Sequence, residues 1–201
     1  MGRPKIIETD DLLRIARETF LEKGVGAPIS EIAKRAGISE AAIFKRFPTK
    51  SGLFFAALGF PKIDVRGEVE KRSAGKNTIQ KLEAILLLFL EYLIESMPIL
   101  TTLISHPSFN PAEFAEKFPE APINSLVTEL ARFLESEKLA GRIGNCDPLV
   151  VAGVLFSSIH SFAMFEYMGI HKTDDNSNRT RVQLLVKVLF EGIKPTKNTM
   201  A

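Results

Sequence analysis

Alternation of apolar and polar residues at a period of two is nearly absent from this 201-residue chain, while apolar residues recur at helical spacing. A chain without that alternation has no half-buried strands from which to build a sheet, so the expected fold class is all-α. Helix punctuation divides it further. Leu12, Leu13, Ala16 and Phe20 form the core stripe of a first helix over about 10–23. Thr9 is placed to cap it, Asp10 and Asp11 suit its positive end, and Gly24 stops it. A second helix over 29–36 turns Ile32, Ala33 and Ala36 inward and closes at Gly37. Ser39 caps a third over 40–47, with Ile43 and Phe47 one turn apart, and Pro48 ends it. A fourth begins near Lys50 and runs through "GLFFAAL".

The polar stretch "DVRGEVEKRSAGKNT" follows, and the fourth helix is read as a strut across a domain boundary. The domains expected are 1–52, a three-helix bundle, and 53–201, a larger helical domain. In the second, a long helix starts at Asn77 or Thr78 and ends near Ser96, and a short one covers 98–106. A Pro-rich loop precedes a helix over 123–139. Asp147 caps the next, with Pro148 in its first position, and that helix reaches about Met168. "HKTDDNSN" is read as a loop before a last helix over 179–193.

Charge is uneven along the chain. Residues 1–52 carry ten Lys/Arg against seven Asp/Glu, and the remainder sixteen against seventeen, so the first quarter is the candidate face for a polyanion. A single cysteine, Cys146, excludes an internal disulfide and a four-cysteine zinc site. No apolar run follows the charged start "MGRPKIIETDD", so a reducing cytoplasm is expected. Two stretches, "AILLLFLEYLI" and "LVVAGVLFSSIHSFAMF", approach the roughly 20 apolar residues of a membrane span. Glu91 interrupts the first; the second is short and carries Gly153, His160 and three serines, so both read as core helices. Enzyme chemistry lacks support: there is no Gly-rich phosphate loop, no zinc-spaced His/Cys set and no nucleophile–base pairing. No cofactor or metal is expected.

Two short helices joined by a turn containing glycine are the pattern of a helix-turn-helix, whose second helix enters the DNA major groove. An ordinary three-helix bundle with a solvated cationic face reads the same way. In the DNA reading, Ile43 and Phe47 anchor the third helix while Glu40, Ala41, Lys45 and Arg46 face outward. Arg46 can pair with guanine, Lys45 can reach bases or phosphates, and Ala41 and Ala42 keep the leading surface small. Lys50 points a charge at the phosphate backbone.

The segment "ISEIAKRAGISEAAIFKRFPTKSGL" resembles the DNA-binding signature of the TetR family of bacterial repressors. Ile32-Ala33, Ala36-Gly37-Ile38-Ser39, Ile43-Phe44, Phe47, Lys50 and Leu53 carry the resemblance, which covers about residues 10–55. It implies that Ser39, Glu40, Ala41 and Ala42 open the recognition helix. It puts Lys45 and Arg46 where base- and phosphate-contacting side chains sit, and Lys50 at a phosphate-binding lysine. Two departures stand out. Phe44 occupies a usual tyrosine and lacks its hydroxyl, and Pro28 replaces the Ser or Thr that caps the second helix, leaving Ser30 as the phosphate-facing residue there. The arm Gly2-Arg3-Pro4-Lys5 could lie in an A·T-rich minor groove or be a free tail.

In the second domain, residues 149–165 contain no charged side chain, so a helix there must be covered all round. A second copy of the chain is the expected cover, through Val151, Leu155, Phe162, Leu185, Val188 and Leu189. The resemblance implies a four-helix interface of this kind, and a homodimer suits a palindromic operator on double-stranded DNA. Aromatic residues gather on the middle helices and the Pro-rich loop, Phe114 and Phe118 among them. Phe89, Tyr92, Leu103, His106, Phe109, Phe133, Phe156, His160 and Met164 are the candidates for an apolar pocket taking a small hydrophobic effector. The loop 107–122 is a candidate gate. The function expected is a ligand-responsive repressor with no membrane partner. The alternative is a helical small-molecule-binding or protein-interaction protein without operator binding.

Overall fold

Capping chemistry sets most of the helix ends in the computed structural model, which describes residues 7–112, 122–170 and 175–192. The described residues form helices α1 (Thr9–Lys23), α2 (Ile29–Ala36), α3 (Glu40–Arg46), α4 (Lys50–Ala57), α5 (Val65–Ser73), α6 (Thr78–Ile104), α7 (Pro122–Leu139), α8 (Pro148–Tyr167) and α9 (Asp175–Glu191), with no strand among them. Ser39 Oγ accepts from the Ala42 N–H, and Asp147 accepts from the N–H groups of Leu149 and Val150, as the sequence leads one to expect. Thr9 does not cap α1: it is the first helical residue, and Glu8 precedes it without a side-chain cap. Pro28 sits at the N-cap of α2, also without one.

Three elements differ from the sequence expectation. The polar stretch after residue 63 contains α5, capped by Asp64 Oδ1 on the Gly67 N–H, with Val65 and Val69 one turn apart and buried. Pro98 does not divide 78–106 into two helices. It lies inside α6 because Leu93, Met97, Ile99 and Leu103 bury apolar surface on both sides of it. That packing outweighs the lost backbone donor, and the Thr101 and Thr102 hydroxyls add bonds to the Met97 and Pro98 carbonyls. The last helix begins at Asp175, taking in part of the stretch read as loop.

Two compact units result, Met1–Pro61 with Ser96–Pro119, and Lys62–Glu95 with Glu120–Ala201. The first is larger than the expected 1–52 because α4 and the end of α6 share its core. Leu12, Ala16 and Phe20 of α1 meet Ile32 and Ala33 of α2, Ile43 of α3, and Leu53, Phe54 and Ala57 of α4. Ile99 and Leu103 complete that cluster. The Phe20 and Phe54 rings stand edge to face at 5.0 Å.

In the second unit, α7 packs on α8 and α5 on α7. Glu137 of α7 is buried yet fully engaged. Its carboxylate accepts from Arg142 Nε at 2.6 Å and Nη2 at 2.8 Å, and from the Thr78 hydroxyl at the start of α6. Lys81 stands 3.9 Å away. These partners, Arg142 first, hold Glu137 down to about 2 against the desolvation that burial imposes.

Among the described residues, two helices, α6 and α8, are long and apolar enough to cross a membrane by length and composition. Within its apolar window α6 is 56% buried, as a core helix is; α8 is only 22% buried and leaves a wide apolar face open.

Candidate nucleic-acid interface

The turn between α2 and α3 is built from one glycine and one serine. Gly37 takes a left-handed conformation (φ 68°, ψ 29°), which lets its N–H and that of Ile38 close the last carbonyls of α2. Ser39 then caps α3. Ile43 is wholly buried and fixes the rotation of α3 against the bundle. With Ile43 inward, the exposed residues of α3 are Glu40, Ala41, Phe44, Lys45 and Arg46, with Ala42 half-buried. Ser30 and Ser39 are exposed as well, and Lys50 is half-buried at the first position of α4. All nine sequence-predicted DNA candidates therefore reach the surface. Phe44 is 40% exposed, a large ring left open on a seven-residue helix.

Electrostatics separate these cations from most of their neighbours. On α1 and α2 three cations are paired: Arg35 with Glu22 at 2.7 Å and Glu31 at 2.9 Å, Lys23 with Glu31, and Arg14 with Glu18 and Asp11, while Arg17 and Lys34 have no ion pair among the described residues. Lys23, and then Arg35, hold the Glu31 carboxylate below its ordinary range. Lys45 and Arg46 have no ion pair or side-chain hydrogen bond among the described residues. The last turn of α3 thus presents two uncompensated cations on a small helix with an alanine leading edge. That arrangement can meet phosphates and base edges together. The Gly2-Arg3-Pro4-Lys5 arm lies outside the described residues.

The effector candidates do not gather into one site. Leu103, His106 and Phe109 belong to the first unit, where Leu103 is core and Phe109 packs against it. Phe89 and Tyr92 are buried in the second unit; Phe133, Phe156, His160 and Met164 are half-buried there. The Phe156 and His160 rings stand 6.2 Å apart. None of the nine lines the cavity of about 700 Å³ in that unit, which is walled by Leu87, Leu90, Glu91 and Ile94 of α6, Glu166 of α8, and Asn178 and Arg179 of α9. Residues 87, 90, 91 and 94 share one helical stripe, and Phe89 and Tyr92 point off it into the core. Ring content alone could not reveal this, because aliphatic and charged side chains do the lining. Phe114, Phe118 and most of the expected gate loop lie outside the described residues.

The interface candidates divide similarly. Val188 and Leu189 are exposed and Val151, Phe162 and Leu185 are half-buried, whereas Leu155 is 1% exposed and belongs to its own core. Arg181 covers the Phe162 ring at 5.3 Å. Leu149, Val150 and Val154 of α8 and Leu184 and Val188 of α9 are left open, all more than half exposed. Of the expected α8 residues, Leu155 alone is buried in its own core; a helix apolar on every side gives the sequence no phase.

Residues 12–57 match the family model described as bacterial regulatory proteins, tetR family. Among curated proteins, the chain is similar to the nucleoid occlusion factor SlmA of Vibrio cholerae, 28% identical over 108 residues, covering 52% of this chain and 54% of that protein. The corresponding protein of Aliivibrio fischeri is 30% identical over 100 residues, covering 48% and 50%. The chain thus spans about half the length of the curated relatives it matches. Among solved structures, FadR from Bacillus subtilis in complex with stearoyl-CoA superposes with a TM-score of 0.65 at 19% identity, covering 93% of this chain and 100% of that one. NalD, the secondary repressor of the MexAB-OprM multidrug efflux pump in Pseudomonas aeruginosa, gives 0.64 at 20% identity, covering 92% and 97%. Both likenesses extend along the whole fold.

Proposed function

We propose that this chain, which belongs to the TetR family of bacterial regulatory proteins, is a ligand-responsive repressor that binds a palindromic operator as a homodimer. The observation that carries the DNA reading is the pair of unpaired cations, Lys45 and Arg46, exposed in the last turn of an α3 anchored by Ile43. Arg46 is the candidate for guanine, Lys45 for bases or phosphate, and Lys50 for phosphate together with the free N–H groups at the start of α4. Exposed Phe44 offers its ring in place of a hydroxyl, suited to a thymine methyl or a sugar.

The dimer reading rests on α8. A helix with so little of its apolar window covered needs a second surface, and a second copy supplies one related by two-fold symmetry. The shallow groove along Val150, Gly153, Val154, Ser157, Ser158 and Ser161 lets a crossing helix approach closely. Two recognition helices would then meet successive major grooves roughly 34–36 Å apart.

The effector is proposed to be a small molecule with an apolar body, held against Leu87, Leu90 and Ile94. Its binding favours an arrangement in which the two recognition helices no longer fit successive grooves, with a coupling of roughly 1–3 kcal/mol. The similarly folded FadR, whose structure contains stearoyl-CoA, makes acyl chains the first effectors to test. Neither a membrane partner nor a catalytic role belongs to this reading, and a cytoplasmic location follows from it.

Selection of bound sequences from a random DNA pool tests the proposal. Recovery of an inverted repeat, released by an acyl compound, supports it. Recovery of no common sequence returns the chain to the class of ligand- or protein-binding bundles.

A further inference from the structure

We propose that His106 is a positioning residue for Lys50: its neutral imidazole ties the segment after α6 to the first turn of α4 and so fixes where the Lys50 ammonium stands for a DNA phosphate. This rests on the operator-binding reading above and adds to it a residue with no exposed face of its own.

His106 is 9% exposed and both ring nitrogens are used. The Ser108 N–H donates to Nδ1 at 3.0 Å, so Nδ1 carries a lone pair and the proton is on Nε2. Nε2–H in turn donates to Ser51 Oγ at 3.3 Å, across 55 residues of sequence. The ring stands 4.8 Å from the Phe54 ring and 5.0 Å from that of Phe55, both on α4. Ser51 is the residue after Lys50, so the bond holds the turn from which the lysine projects.

That turn needs holding. Lys50 opens α4, whose first turn contains no acidic residue, so its charge opposes the helix dipole. Thr49 caps the Gly52 N–H but makes no contact that fixes the lysine. The ring is held in place for that bond only while neutral. Protonation would leave Nε2–H a donor to Ser51, but it would turn Nδ1 into a donor facing the Ser108 N–H, breaking the bond that orients the ring, and add a second positive charge beside Lys50. Lys50 is the charged group acting on the ring; Ser51, Phe54, Phe55 and Ser108, which surround it, carry none. Burial, and then Lys50, hold His106 below the ordinary histidine value. The tie is therefore complete above that ordinary value and lost as pH falls through the lowered one.

The test is the salt dependence of binding to the selected operator, measured for the parent, His106→Ala, His106→Gln and Lys50→Ala. At about pH 7.5, His106→Ala should weaken binding roughly tenfold. It should also lower the slope of log K against log salt by about 0.9 per protomer, as Lys50→Ala does. Combining the two substitutions should lower the slope no further. The amide of His106→Gln can donate to Ser51 and should keep the parent slope. As pH falls through the lowered His106 value, the parent slope should fall toward that of His106→Ala while His106→Gln stays unchanged. A parent-like slope in His106→Ala overturns the inference, as does a His106→Gln that loses as much as His106→Ala. The parent's pH series reads the same point without any substitution. Failure of the parent to bind any DNA removes the operator reading, and this inference with it.

Discussion

Glu137 shows what a single side chain contributes to the second unit. It is 2% exposed, and its carboxylate joins Arg142, Thr78 and Lys81. Its value falls from 4.5 to about 2 on folding, a difference of about 3 kcal/mol in favour of the ionised form. Because the folded value is the lower one, that stability is complete above pH 4.5 and is lost as pH falls toward 2. Denaturant melts across this range should show the decline, and Glu137→Gln should remove it while costing about 2 kcal/mol at neutral pH. A neutral-pH stability equal to the parent's would mean that the ion pairs only offset their own desolvation. At the surface, Lys50→Ala should weaken all DNA sequences alike, since a phosphate contact carries no base preference; a change confined to one operator position would assign Lys50 to a base.

At the scale of the element, the α2–α3 turn depends on Gly37. An alanine there must adopt φ 68°, at a cost of about 1–2 kcal/mol. Gly37→Ala should lower the melting midpoint of the chain and weaken operator binding with it. An unchanged midpoint would show that the turn can relax to another conformation. The same turn explains why the DNA-binding half was legible in the sequence. Gly37, Ser39 and Pro48 bracket α3, and Ile43 with Phe47 fixes its rotation, so the outward set followed directly. Legibility failed where tertiary packing outweighed local signals. Pro98 reads as a helix end but is carried within α6 by Met97, Ile99 and Leu103 on either side. α5 has two buried valines in nine residues, too few to stand out from a polar stretch. His106 looked like a pocket residue because the sequence does not reveal that the end of α6 returns to the core of the first unit. On α8, uniform apolarity concealed which side faces inward, and Leu155 was assigned to the wrong one.

For the whole molecule, the open face of α8 and α9 is the feature on which the proposed dimer rests. Val154→Asp or Val188→Asp places a charge on residues 60% and 52% exposed, so the folded chain should tolerate either. Each should convert the dimer to monomer in sedimentation and abolish binding to a two-half-site operator. A variant that still sediments as a dimer would move the interface elsewhere. Dimerisation and groove spacing matter only if α3 reads bases, and Arg46 is the residue on which that claim stands. The most direct measurement is the affinity of the parent and of Arg46→Ala for every single-base variant of the selected operator. The account predicts that Arg46→Ala loses discrimination of about 1–3 kcal/mol at one position in each half-site and keeps the rest of the profile. An identical profile in the two proteins would contradict it.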